Sequence, residues 1–226
     1  MERSEPIRST YHHGHLREAL VRAAIELLEE GGPDRISVAE AAKRAGVSSG
    51  APFRHFASKT HLMTAVAEAL QAALLNRMQT ALLGGSEQPW DRLQALGRAY
   101  LAWGLECPTH FRTFSNRNLY HFESSEILRE GDERIVSVTE DTFQLLLPDG
   151  PQRQEEARRL NIHARALLTG LVTMYCNGHF HRLGIQGESP EDTMFKTWEA
   201  FVASLQVWIG SGSLSSASPS SSAPEA

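Results

Sequence analysis

Apolar positions recur along most of this chain at steps of three and four, the spacing of one face of an α-helix. Leu16, Leu20, Ala23, Leu27 and Leu28 predict a first helix from about Gly14 to Glu30. Gly31-Gly32-Pro33-Asp34 turns the chain, and Ile36 returns it to the core. Ser37 then caps a second helix, with Glu40 three residues on to complete a capping box. Val38, Ala41, Ala42 and Ala45 put small apolar groups on its inward face, so a neighbour can approach closely. Gly46 ends it, because glycine takes the left-handed conformation of a C-terminal cap at little cost. Val47 buries, and Ser48 or Ser49 caps a short third helix. With Ser49 as cap, Pro52 is the third helical residue, whose N–H has no intrahelical partner anyway. Phe53 and Phe56, three apart, are expected to anchor that helix.

A long helix follows from Ser58. Leu62, Val66, Leu70, Leu74, Met78 and Leu82 fall at every fourth position, a row that tilts slowly round the helix. Such a helix can serve as a lever between two domains. Gly84-Gly85-Ser86 ends it, and Pro89 opens the next helix, which carries Leu93, Leu96, Tyr100, Leu101 and Trp103 as far as Cys107-Pro108. The stretch THFRTFSNRNLYHF then alternates aromatic and polar side chains. It reads either as the lining of a small-molecule pocket or as a short helix with ordinary core aromatics. Another helix spans about Ser125 to Leu147, with Ile127, Ile135, Val138, Thr142 and Leu145 inward, and Pro148-Asp149-Gly150-Pro151 is a turn.

The last two helices have bundle seams. From Gln154 to about His181 the seam is Leu160, Ala164, Leu168, Leu171 and Tyr175. From Glu191 to Ile209, capped by Ser189, it is Met194, Trp198, Phe201, Leu205 and Trp208. Leu167, Val172, Val202 and Ile209 widen these faces, which suits a pair burying one side in its own subunit and the other in a partner. The Ser/Ala/Pro-rich stretch 210–226 is expected to be a disordered tail, and the polar residues 1–12 a flexible arm.

Composition changes this picture little. The chain has 226 residues, 41% of them apolar, enough for a sizeable core. A net charge of −5 argues against a generally nucleic-acid-coated surface, but the distribution matters more. From Lys43 to Lys59 stand Lys43, Arg44, Arg54 and Lys59, with no acid among them. A helix–glycine–helix corner carrying an acid-free basic run reads as a helix-turn-helix, with the second helix reading DNA. Cys107 and Cys176 are far apart in sequence. The polar N-terminus has no apolar signal core, and no apolar run reaches the roughly 20 residues of a membrane span. A cytoplasmic chain with reduced thiols and no membrane partner is expected.

The segment Tyr11 to Met63 resembles the N-terminal domain of the TetR/AcrR family of transcriptional regulators. It shares the first helix, the A-x-x-A-G-V-S turn, the R-H-F triplet and the S-K that opens the long helix. The resemblance implies an all-α protein. An N-terminal three-helix helix-turn-helix domain, residues 13–60, would precede a C-terminal helical ligand-binding and dimerisation domain, residues 61–209. It further implies a homodimer through the last two helices, a double-stranded palindromic operator, and a small-molecule effector that releases a repressor from DNA. By the family pattern Ser37, His55 and Lys59 would hold phosphates, while Ser49, Gly50, Phe53 and Arg54 face base edges with Ser48 beside them. His12 and His13, in Y-H-H-G, would touch the DNA backbone. Phe53 stands where the family usually has tyrosine, and Ala51 where threonine is common. The C-terminal half also resembles a branch marked by W-x-x-x-H-G, but Arg165, Thr169 and Gly170 keep only the glycine. The ligand-binding candidates are Tyr100, Trp103, Phe111, Phe114, Thr169 and Tyr175.

No phosphate-binding glycine loop, HExxH or nucleophile elbow is present in the sequence. Cys176, His179 and His181, with His163 earlier, share metal-ligand chemistry. A small buried thiol beside histidines at a fraying helix end accounts for them better. No enzyme activity, cofactor or metal site is therefore expected. A competing reading is an all-α small-molecule- or metal-binding protein whose corner is purely structural.

Overall fold

The computed structural model describes residues 13–48, 50–183 and 186–211, with side chains from Leu16 onward. Among the described residues the protein is all-helical. Helices α1 (His13–Gly31), α2 (Val38–Arg44) and α3 (Lys59–Leu83) are followed by α4 (Pro89–Glu106) and α5 (Pro108–Ser115). Then come α6 (Glu126–Leu146), α7 (Arg153–Cys176), the short α8 (Phe180–Leu183) and α9 (Pro190–Gly210). Single 3-10 turns lie at Pro33–Arg35, Pro52–Arg54 and Arg117–Leu119. The N-terminal arm, and the tail beyond Ser211, lie outside the described residues.

The chain forms two compact units. One contains the chain up to Ala73 together with Thr109–Gly131; the other contains Leu74–Pro108 and the chain from Asp132 on. In the first, the α1 stripe Leu16, Leu20, Ala23, Leu27 and Leu28 packs with Ile36, Val38, Ala41, Ala42 and Phe56. Leu62, Val66 and Leu70 of α3 join this core, as do Tyr120 and Leu128 from the later segment. The predicted row on α3 is buried as far as Met78, and Leu83 is exposed.

In the second unit α4 packs against α7 and α9, which also meet each other. Close approach requires glycine on α4. A Cβ on Gly97 would stand 2.0 Å from Trp198 Cε2, and one on Gly104 would stand 2.4 Å from Val172 Cγ1. The Trp198 indole N–H donates to the Gln94 carbonyl at 3.3 Å, so its polar edge is satisfied while the ring is buried. Leu160, Ala164, Leu168 and Leu171 of α7 are buried, as are Met194, Trp198 and Leu205 of α9. Part-buried polar bonds join α6 to α7, among them Thr139 Oγ1 to Asn161 Oδ1 at 2.8 Å.

Three expectations change. Ile127 and Leu145 of α6 point to solvent, and the buried row is Leu128, Gly131, Ile135 and Thr142. A step of three, four and seven also fits one helix face, and Ile135 and Thr142 lie on it as predicted. Helix α7 stops at Cys176 and does not continue to His181. Gly178 takes φ 71°, and the His179 N–H reaches back to the Met174 carbonyl at 2.9 Å, the hydrogen bond of a left-handed cap. Phe53, which its spacing made an anchor and the family pattern turned toward base edges, is 54% exposed, whereas Phe56 is 3% exposed.

Candidate nucleic-acid interface

The corner is built from Ser37 onward. Ser37 has an extended backbone, and its Oγ accepts from the Glu40 N–H at 3.0 Å, which fixes the start of α2. Val38, Ala41 and Ala42 bury. At the far end Gly46 takes φ 68°, and the Val47 N–H donates to the Ala42 carbonyl at 3.0 Å. This is a Schellman closure, with Val47 partly buried against the core as its apolar contact. The backbone leaving α2 is thereby aimed at the next element.

That element is smaller than expected. The segment closes as one 3-10 turn, Pro52–Arg54, after Ala51, with no side-chain cap. Pro52 is buried at its first position, and its carbonyl accepts from the N–H groups of both His55 and Phe56 at 2.9 Å. Of the two phenylalanines, the ring of Phe56 goes inward. Phe53 and Arg54 are left side by side in solvent, flanked by exposed Ser48 and Gly50 and half-buried His55. Ser49 and His12 lie outside the described residues, and His13 is described only as the first residue of α1.

Lys59 opens α3 and is exposed. Ser58 Oγ accepts from the His61 N–H at 3.3 Å and contacts His61 Nδ1 at 2.8 Å. The first turn of α3 contains no acid, so the helix dipole there remains available to an anion.

The basic run is weaker than its sequence suggests. Arg44 makes a two-pronged bond to Glu30, with both N···O distances 2.7 Å, and reaches Glu26 at 3.4 Å. Glu30 lies below the usual carboxylate range because Arg44 donates to it, and Arg44 is raised in return. The Lys43–Lys59 run contains no acid, but α1 supplies two from a distance in sequence. Among the described residues Lys43, Arg54 and Lys59 form no ion pair, and they carry the remaining positive charge.

The six ligand candidates divide between the units. Phe111 is buried on α5, and Phe114 packs against the first unit's core. Tyr100, Trp103, Thr169 and Tyr175 are in the second unit. Tyr100 Oη and Thr169 Oγ1 are 3.1 Å apart, joining α4 to α7, and burial pushes the Tyr100 phenol up. Tyr100 and Trp103 hold their rings 6.1 Å apart. Tyr175 is tied instead to Glu191 at the start of α9, whose carboxylate pushes its phenol up. Among the described residues no group of three or more His, Cys, Asp or Glu is arranged to hold a metal ion, and Cys107 and Cys176 are in no disulfide.

A glycine-capped helix, an exposed turn and a cation at the start of the next helix are compatible with a helix-turn-helix corner. Comparison with known proteins bears on it directly. Residues 20–66 match the bacterial regulatory proteins of the tetR family, and residues 93–202 match the tetracyclin repressor-like C-terminal domain. The chain belongs to the TetR family. It has that family's DNA-binding regulator fold, with an N-terminal helix-turn-helix domain and a TetR-like C-terminal domain. It is 26% identical over 196 residues to the nucleoid occlusion factor SlmA of Yersinia pseudotuberculosis, covering 84% of this chain and 94% of that one. A Rhodococcus sp. RHA1 protein of unknown function superposes with a TM-score of 0.71 at 23% identity, covering 87% and 98% of the two chains. A TetR variant from Acinetobacter baumannii AYE, in complex with minocycline, superposes with a TM-score of 0.57 at 17% identity over 84% and 96%. No described helix of this TetR-family chain is long and apolar enough to cross a membrane.

Proposed function

We propose that the protein is a sequence-specific transcriptional repressor that binds a palindromic operator as a homodimer and is released by a small molecule. The observation that carries this reading is the outward pair Phe53 and Arg54, held on a turn whose next ring, Phe56, is locked in the core. Arg54 would donate bidentately to guanine, and Phe53 would pack on a thymine methyl. Lys59 and the α3 N-terminus would hold a phosphate. Ser37 would hold another, because its hydroxyl proton remains available while its oxygen accepts from Glu40. Ser48, Ser49, Gly50 and His55 complete the surface, with His12 and His13 on the flanking backbone.

Dimerisation would use the outward sides of α7 and α9. Ile162 on α7 is 65% exposed and Val207 on α9 is 75% exposed, and the small residues Ala166, Thr169, Gly170 and Thr173 follow Ile162 along α7. The effector would enter the second unit beside Tyr100, Trp103 and Thr169. The Acinetobacter protein of the same fold is in complex with minocycline, which supports a small-molecule site in this one. A dimer places two reading turns on successive major grooves, roughly 34 Å apart.

Selection of bound sequences from a random duplex pool at near-physiological salt tests the reading. A recovered palindrome is the expected result. Recovery of no shared sequence, before and after denaturing and refolding to strip any bound effector, would favour a structural corner. On the recovered duplex Arg54→Ala should cost about 1–3 kcal/mol and relax base preference. Lys59→Ala should weaken every sequence alike and lower the salt slope by about one. Equal losses from both substitutions on every sequence would contradict the assigned roles.

A further inference from the structure

The unit that holds the reading turn contains more than the N-terminal helices. Residues Thr109–Gly131 are compact with it, and three polar side chains on one face of α3 hold that segment. Thr64 Oγ1 accepts from the His121 N–H at 3.0 Å. Glu68 Oε1 accepts from the Ser125 hydroxyl at 2.9 Å. Gln71 Nε2 donates to the Leu128 carbonyl at 2.9 Å. Gly131 makes room for this last contact, since a Cβ there would stand 2.0 Å from Gln71 Oε1.

Glu68 alone among the three has a charged partner as well. Its Oε2 accepts from Arg17 Nη2 of α1 at 3.1 Å, and its side chain is only 15% exposed. The Arg17 guanidinium stands 5.7 Å from the centre of the Phe56 ring. Phe56 closes the reading turn through its N–H to Pro52. At the other end, Ser125 Oγ also accepts from the Leu128 N–H at 3.3 Å, and so caps α6. One carboxylate thus joins the first turn of α6 to the cation that covers the reading turn's anchor.

We propose that Glu68 is a positioning residue for DNA recognition, coupling the N-terminus of α6 to the Pro52–Phe56 turn through Arg17. The proposal rests on the DNA-binding reading. A mostly buried carboxylate loses heavily when either oxygen is left without a donor. Removal of the Ser125 hydroxyl therefore turns the carboxylate and changes its hold on Arg17, although Ser125 touches nothing in the turn directly.

A double-mutant cycle of Arg17→Met and Ser125→Ala tests this, read as affinity for the duplex recovered by selection. The two losses should be non-additive by about twofold or more, and the coupling should vanish in a Glu68→Gln background. Amide exchange at His55 and Phe56, measured without DNA, is the second readout. It should quicken in Arg17→Met and in Ser125→Ala, and stay unchanged in Ser124→Ala, whose exposed hydroxyl bonds only to the His121 carbonyl. Additive losses on DNA, or exchange at His55 and Phe56 unmoved by Ser125→Ala, would overturn the coupling. Failure to recover any duplex, with exchange still quickened, would overturn the DNA-binding reading and leave the coupling intact.

Discussion

The α4–α7–α9 bundle and the Ser48–Phe56 corner use opposite means. In the bundle, volume decides. Gly97 and Gly104, seven residues apart on α4, exist to admit Trp198 and Val172, and neither position has room for one methyl group. In the corner, what stays outside decides. One 3-10 turn and one buried ring hold Phe53 and Arg54 in water. On the proposed reading, stability and recognition rest on different residues, and a substitution should disturb mostly one or the other.

The strongest way to break that division is at Trp198. Trp198→Ala removes a side chain that is 1% exposed and should cost about 3–5 kcal/mol in denaturant unfolding. Gly97→Ala attacks the same contact by overpacking and should cost about 1–3 kcal/mol. Trp198→Phe should restore part of that loss, since the smaller ring leaves space for the new methyl. Both bundle variants should select the same DNA sequence as the parent while folded. A Gly97→Ala protein as stable as the parent would show that the close approach is not required.

The corner supplies a sharper contrast, with two phenylalanines three residues apart. Phe56→Ala should destabilise by about 3–5 kcal/mol, as for any large buried aromatic. Phe53→Ala should stay within about 0.5 kcal/mol of the parent, because the ring is already in water. DNA affinity should nevertheless fall in Phe53→Ala with the thermal midpoint unmoved. Similar unfolding costs for the two would mean that Phe53 belongs to the core after all.

These residues also show how far the sequence could be read. Local signals were enough for the Ser37 cap, the Gly46 stop and the α7 and α9 seams, because each depends on neighbours within one or two turns. Phe53 and Phe56 misled because equal spacing implies a shared face only inside one helix, and the turn ends at Arg54 before Phe56 begins its own contact. Ile127 and Leu128 are adjacent apolar residues, so either phase satisfied the pattern. It is decided by packing distant in sequence, since Leu128 joins the core formed by α1, α2 and α3. The Thr109–Gly131 segment is held in the first unit by its own Tyr120 and Leu128 and also by Thr64, Glu68 and Gln71, polar side chains of α3 with no local signature. Arg44 counted as part of a basic surface until Glu26 and Glu30 were found against it.

The Arg44–Glu30 pair gives the smallest expected effect and the finest test of the division, because it lies between the two kinds of region. It holds the end of α2 to α1 and so supports the corner without facing outward from it. Arg44 keeps the Glu30 carboxyl below its ordinary value of 4.5, so the folded chain releases that proton at lower pH than the unfolded chain does. The pair's contribution is therefore complete above the ordinary value and is lost as pH falls through the lowered one. Both side chains are partly exposed, and solvent keeps the effect small. Unfolding of the parent and of Glu30→Gln, compared across the acid range, should show a gap that is constant near neutrality and closes below 4.5. A gap that stays constant down the acid limb would mean that the two-pronged contact orders the surface without stabilising it. In that case Arg44 would be free to turn outward, and the positive surface around Lys43, Arg54 and Lys59 would gain a fourth charge at the cost of the support behind it.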